Sequence, residues 1–228
     1  MRRVAATVAT DVRLQFRNGF YFATALVVVV STLLLRWLPA EATRLILPVV
    51  ILENVLMNTF YFVSGLLLLE RGEGTFAAQS VTPLRDVEYL GSKLITLTAL
   101  SLAESLIIAA AVIGLDARLV LMALGIALSG VLFCLAGVAL VARYDSVNEF
   151  LMPSVLYTFV LTLPVLGVLG VGPPEWYMPH PMQGPLALLQ IDLPMTPGWL
   201  AYAIGYPIVW IAFAYLWSRR ALARIRHQ

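Results

Sequence analysis

Six apolar stretches, at about residues 20–38, 45–69, 94–114, 119–142, 151–171 and 198–217, constrain this 228-residue chain more than any other feature. Each is near or above the ~18 residues that mark a helix able to cross a bilayer. Helices are expected rather than strands, because a segment of that length satisfies its own backbone hydrogen bonds inside lipid. Composition agrees: 12% of residues are charged and mean hydropathy is +0.88, where an ordinary soluble domain is ~25% charged. Too little polar surface remains to cover a globule in water. The expected fold class is an all-α integral membrane protein with six transmembrane helices, forming one domain over residues 1–228.

The basic residues orient the spans. Arg2, Arg3, Arg13, Arg17, Arg71, Arg85, Lys93, Arg143, Arg219, Arg220, Arg224 and Arg226 fall on one side of a six-span chain, and only Arg36, Arg44 and Arg118 on the other. By the positive-inside rule both termini face the cytoplasm. The first eighteen residues already hold Arg2, Arg3, Asp11, Arg13 and Arg17, so no cleavable signal peptide is expected. With Val4, Val8, Val12 and Phe16 on one arc and the arginines opposite, residues 1–18 are expected to form an interfacial amphipathic helix.

Residues 172–197 are external on this reading and contain no Lys or Arg. Pro173, Pro174, Pro179, Pro181, Pro185, Pro194 and Pro197 exclude a continuous helix there. The apolar piece from Pro185 to Ile191 is too short to span and reads as re-entrant or interfacial. His180, Glu175 and Asp192 lack the spacing of metal ligands, and the lone Cys134 cannot form an internal disulfide, so no metal site is expected. No nucleic-acid partner is expected either, and membrane lipid is.

One compact charged insert interrupts the apolar pattern. "LLERGEGTFAAQSVTPLRDVEYLGSK", Leu68 to Lys93, carries Glu70, Arg71, Glu73, Arg85, Asp86, Glu88 and Lys93, about a quarter of the charged residues. It has no phosphate-cradling motif. Gly72 and Gly74 permit a sharp exit from the second span, Phe76-Ala77-Ala78 can form a short helix, and Val81-Thr82-Pro83 ends it. A short rigid helix between two bends suits a groove on a soluble partner.

Over Glu70, Arg71, Gly74, Thr75, Val81, Thr82, Pro83, Leu84, Glu88, Tyr89, Leu90 and Lys93 the insert resembles the first intracellular segment of ABC exporter permeases of the second type. Leu14–Val30 and Leu33–Pro39 resemble the start of small bacterial fluoroquinolone-export permeases. The resemblance implies a cytoplasmic coupling helix within residues 70–93, with Glu70, Arg71, Glu73, Gly74, Thr75, Phe76, Thr82 and Pro83 as coupling residues. The partner it implies is a separate ABC ATP-binding subunit carrying ATP and Mg, with no cofactor in this chain. It also implies a second permease subunit, identical or different, and an interfacial helix whose Arg13 or Arg17 pairs with Glu70 or Glu73.

Charged residues inside spans are costly and usually face a bundle interior or cavity. Glu53, Asn54, Asn58 and Glu104 are therefore candidates to line a substrate path; the plainer alternative is that they hold helices together. Ser101, Ser105, Ser129, Gly125 and Gly130 suit helix packing. The expected function is an exporter subunit, not an enzyme, in the inner (plasma) membrane, moving a hydrophobic or amphipathic molecule outward: drug-like, such as a fluoroquinolone, or lipid. A haem-export permease of cytochrome c maturation, a lipid-modifying membrane enzyme and a membrane-assembly scaffold are the rival readings.

Overall fold

The computed structural model describes residues 2–74, 85–194 and 196–226, with side chains from Thr7 to Arg224. The described residues form helices and turns without a strand. In chain order the helices are α1 (Arg2–Arg17), α2 (Phe20–Trp37), α3 (Ala40–Leu56), a π turn (Met57–Tyr61), α4 (Phe62–Gly72), α5 (Asp86–Ile113), α6 (Arg118–Val141), α7 (Val147–Leu161), α8 (Pro164–Val168), α9 (Gln183–Leu189) and α10 (Pro197–Arg226). Five stretches are long and apolar enough to cross a membrane: α2, the continuous α3–π–α4 rod, α5, α6 and α10. The chain is a multi-pass membrane protein.

Two layers follow from burial. The most apolar windows of α3–α4, α5 and α6 are 61%, 50% and 56% buried, whereas those of α2 and α10 are only 11% and 17% buried. The inner three form the core around Phe60, Phe133, Leu97 and Ile126. The outer helices turn residues such as Phe22, Leu26, Met152 and Val209 outward, as lipid-facing helices do. Small residues bring the inner helices close. A Cβ on Gly137 would sit 2.7 Å from Val63 Cγ1 and 2.9 Å from the Phe60 carbonyl, and one on Gly130 3.2 Å from Thr98 Cγ2.

Several boundaries differ from the apolar pattern. The second span begins at Ala40 rather than 45, and Pro48 and the π turn lie inside one 33-residue rod. The third helix begins at Asp86, eight residues before the apolar run. Glu88 accepts a hydrogen bond from the Arg85 N–H at 3.0 Å, and Asp86 and Glu88 favour the positive helix end. The stretch 151–171 is not one helix: α7 has 15 residues and stops before α8. At ~1.5 Å per residue it spans roughly 22 Å, short of the ~30 Å core. Pro164 has no N–H to donate to the Val160 carbonyl, which accepts from the Leu163 N–H at 3.3 Å and bonds His180 Nε2 at 3.0 Å.

The proline-rich segment is pinned inward. Tyr202 and Tyr206 donate hydroxyls to the Met178 and Pro179 carbonyls at 2.5 and 2.6 Å. All seven residues of α9 are buried, wedged between α6 and α10. A Cβ on Gly125 would lie 2.8 Å from the Pro185 carbonyl, and one on Gly184 2.8 Å from the Ala203 carbonyl.

Candidate functional site

Two polar clusters lie along the α3–α4 rod, one at its insert end and one midway. The first is built on Lys93, which is fully buried. Its Nζ lies 2.7 Å from Asp11 Oδ1 on α1 and 2.6 Å from Glu70 Oε1 on α4, and 5.2 Å from the Tyr89 ring centroid. Tyr89 donates its hydroxyl to Glu70, and Ser92 donates to Asp11. Burying an ammonium is costly unless it is paired and its partners are themselves hydrogen-bonded. Here two carboxylates surround one cation, and two hydroxyls satisfy their remaining oxygens.

Helical spacing makes this possible. Tyr89, Ser92, Lys93 and Thr96 share one face of α5, and Asp11 and Gln15 share one face of α1. Gln15 Nε2 donates to Thr96 Oγ1 at 2.9 Å. The buried face of α1 is therefore Asp11 and Gln15, while Val12 and Phe16 stay exposed. Among the described residues no ion pair joins Arg13 or Arg17 to Glu70 or Glu73, because both arginines lie on exposed positions of α1; Lys93 takes Glu70 instead.

Glu70 lies near the start of the insert and Lys93 at its end, so their contact staples its two stems together. Arg71 extends the tie: its guanidinium lies 2.6 Å from Asp145 Oδ1 and donates to the Tyr144 carbonyl at 3.0 Å, reaching the short connection 142–146. In that connection the Tyr144 hydroxyl sits 2.8 Å from that of Tyr157, a hydrogen bond that holds the Tyr144 pKa above its ordinary value. Gly72 remains helical, and Gly74 alone adopts the left-handed conformation, with φ +67°. Glu73 is exposed. Thr75, Phe76, Thr82 and Pro83 lie outside the described residues.

The second cluster sits where the rod widens into its π turn. Asn58 Nδ2 donates to Glu104 Oε2 on α5, and Thr24 Oγ1 on α2 donates to Asn58 Oδ1 at 3.4 Å. Glu104 is 2% exposed. Around it Asn54 Nδ2, Ser101 Oγ and Ser105 Oγ are buried without a hydrogen-bond partner among the described residues. π turns inside α-helices recur at functional sites. Of the four residues singled out in the sequence, Asn58 and Glu104 touch and Asn54 is buried nearby. Glu53 is half-buried and takes no part in that contact. Among the described residues no three His, Cys, Asp or Glu side chains gather where they could hold a metal.

Asp11, Gln15, Ser92, Thr96 and Thr24 were not singled out as site residues. The signal for the first two was present: a carboxylate and an amide four apart at the edge of the apolar arc of an amphipathic helix. Lys93 and Tyr89 stood within the recognised motif but read as its edge rather than its anchor.

A bundle of apolar helices with charged and amide side chains buried between its members defines a multi-pass membrane protein. Residues 2–226 match the profile of the fluoroquinolones export permease protein family, and the chain belongs to that family. It is 31% identical over 214 residues to a fluoroquinolones export permease protein of Mycobacterium tuberculosis strain CDC 1551 / Oshkosh, covering 92% of this chain and 90% of the relative. The same figures hold for the protein of that name from strain ATCC 25618 / H37Rv. Members of this family are transport subunits, not enzymes.

Proposed function

We propose that this chain is the membrane subunit of an ABC exporter that drives a small amphipathic molecule out of the cytoplasm. The family name favours a fluoroquinolone-like drug as cargo. A separate subunit binds and hydrolyses ATP with Mg, docks on the insert between Gly72 and Pro83, and two permease chains, identical or different, enclose the path. The observation that carries this reading is the Glu70–Lys93 staple with Asp11 across it. An insert tied at its base to α1 and to the 142–146 connection passes a push to the bundle as a unit, whereas a free loop would absorb it.

On this reading the protein crosses the inner membrane six times, α7 and α8 together making the fifth crossing, with both termini cytoplasmic and α1 at the interface. The buried α9 is the external re-entrant piece. Asn54, Asn58 and Glu104, with Glu53 beyond them, line the path. Purification from its native host with retention of an ATPase subunit, and stimulation of that ATPase by a fluoroquinolone, is the deciding experiment. A chain that purifies without an ATPase and transports nothing when the genomic ATPase partners are supplied would overturn the proposal.

A further inference from the structure

Lysine and arginine are sparse at the end of the bundle away from the insert, where only Arg36 at the end of α2, Arg44 in α3 and Arg118 at the start of α6 stand. All three line one cavity of about 500 Å³, so three helices bring the cations of that end to one place. Arg44 is held by Asp192 at 3.0 Å. Arg118 Nη1 donates to the Leu193 carbonyl at 3.2 Å, which leaves its charge uncompensated. The exposed Arg36 guanidinium has neither an ion-pair nor a hydrogen-bond partner among the described residues. One carboxylate, Asp116, shares the lining, and its Oδ1 accepts the Arg118 N–H at 2.7 Å. Glu41 and Asp192 line the neighbouring cavity, which Arg44 also borders. With Arg44 and Asp192 cancelling, Arg36 and Arg118 against Asp116 leave one positive charge in excess. Helix α3 begins in the same lining at Ala40, and no side chain caps it, so its free N–H groups add donors and positive potential.

The rest of the lining is largely apolar, with Leu38, Val112, Ile113 and Ile191 half-buried in it. Beside Arg36, Leu33, Leu34 and Trp37 are exposed, and the apolar span of α2 ends at Trp37. Arg36 therefore stands at the level where acyl chains give way to headgroups. We infer that this cavity binds the phosphodiester of an anionic phospholipid. A guanidinium presents paired N–H donors that match two phosphate oxygens; Arg36 and Arg118 supply two such forks, and the acyl chains descend past Leu34 and Leu33. One excess positive charge matches one phosphodiester. A choline headgroup brings a second cation into a site that is already positive, and a soluble phosphate leaves the apolar wall uncovered. The bound lipid bridges α2, α3 and α6, which matters most for α2, whose apolar window is only 11% buried.

The test places the full-length protein in phosphatidylcholine nanodiscs of rising phosphatidylglycerol content and reads hydrogen exchange over residues 36–44 and 112–119. Phosphatidylglycerol is expected to slow exchange in both segments, with a definite content giving half the effect. Arg36→Gln, which has no partner in the fold to lose, should raise that content by about fivefold or more. Arg36→Lys should raise it less, since it keeps the charge and loses the fork. Asp116→Asn keeps an oxygen for the Arg118 N–H, removes the opposing charge, and should lower the content needed. Arg219→Gln, at the opposite end of the bundle, should change nothing. Soluble glycerophosphoglycerol or inorganic phosphate, added to phosphatidylcholine nanodiscs, should protect neither segment. The inference is overturned if phosphatidylglycerol protects no better than phosphatidylcholine, or if Arg36→Gln and Asp116→Asn both keep the wild-type midpoint. It is equally overturned if Arg219→Gln shifts the midpoint as far as Arg36→Gln, or if the soluble phosphates protect as well as the lipid, which would make this a site for a free anion. No ATPase and no cargo enter the experiment, so its outcome is independent of the exporter reading.

Discussion

Replacing Lys93 with methionine keeps most of the side-chain volume and deletes the charge. In the structure this leaves Asp11 and Glu70, each more than 90% buried, facing one another across the space that a cation occupied at 2.7 and 2.6 Å. Removing one partner of a buried pair typically costs about 3–5 kcal/mol, or roughly two to three and a half powers of ten in the docked fraction of α1. Asp11→Asn is a milder change. It leaves Lys93 paired one-to-one with Glu70, keeps an oxygen to accept from Lys93 and an amide N–H to donate to Ser92 Oγ, so a loss of about 1 kcal/mol is expected. The triple variant Lys93→Met, Asp11→Asn, Glu70→Gln removes all three charges and should recover most of the stability, since neutral replacement of a buried ionic group is often tolerated. Hydrogen exchange across residues 8–17 in nanodiscs reads the docking of α1, and thermal unfolding reads the whole. Lys93→Met should lose α1 protection by a hundredfold or more, ahead of any global change. Wild-type protection in Lys93→Met, or equal damage in the single and triple variants, would refute the argument that charge pairing holds α1.

Glu104→Gln keeps an acceptor for Asn58 and should melt within ~0.5 kcal/mol of wild type, whereas Glu104→Ala strands the buried amide and should cost about 1–3 kcal/mol; thermal unfolding in detergent distinguishes them, and loss of transport in Glu104→Gln alone would assign the charge to the path. Gly137→Val places carbon 2.7 Å from Val63 Cγ1 and 2.9 Å from the Phe60 carbonyl and should cost about 1–3 kcal/mol by overpacking, while Gly65→Ala, with nothing within 4 Å of the added atom, should be neutral or slightly stabilising. His180 accepts the Met182 N–H on Nδ1 and bonds the Val160 carbonyl through Nε2, and burial lowers its pKa below 6.5. The folded protein thus takes up that proton less readily than the unfolded chain, so the contact contributes fully above pH ~6.5 and weakens as pH falls through and below it; faster amide exchange around Met182 in mild acid, abolished in His180→Gln, is the expected result.

The apolar runs located the five helices that are long and apolar enough to cross a membrane among the described residues, because lipid demands length and low charge, and both are read directly from composition. What they missed was local. Helix α5 starts at Asp86 because its capping acids outweigh the falling hydropathy. The run 151–171 breaks at the turn 162–163, just before Pro164. At the site, Glu104 and Asn58 were legible since a charge or amide in a span is conspicuous wherever it points. Asp11 was not, because a carboxylate near a terminus looks solvated until its partner, 82 residues away, is known. Arg13 and Arg17, singled out for their charge, lie at exposed positions of α1.

The separation between Asp11 and Lys93 also sets an order of assembly. Helix α1 is made before α5, and the side chain that fastens it comes 82 residues after Asp11. At ~5–20 residues per second that delay is roughly 4–16 s. During it Asp11 and Gln15 stay wet and Phe16 can rest on the bilayer surface. Only when α5 inserts do Asp11 and Glu70 acquire the ammonium that lets both leave water together. Nascent chains stalled before residue 93 should therefore carry α1 loose, and release past that point should fasten the amino terminus in a single late step.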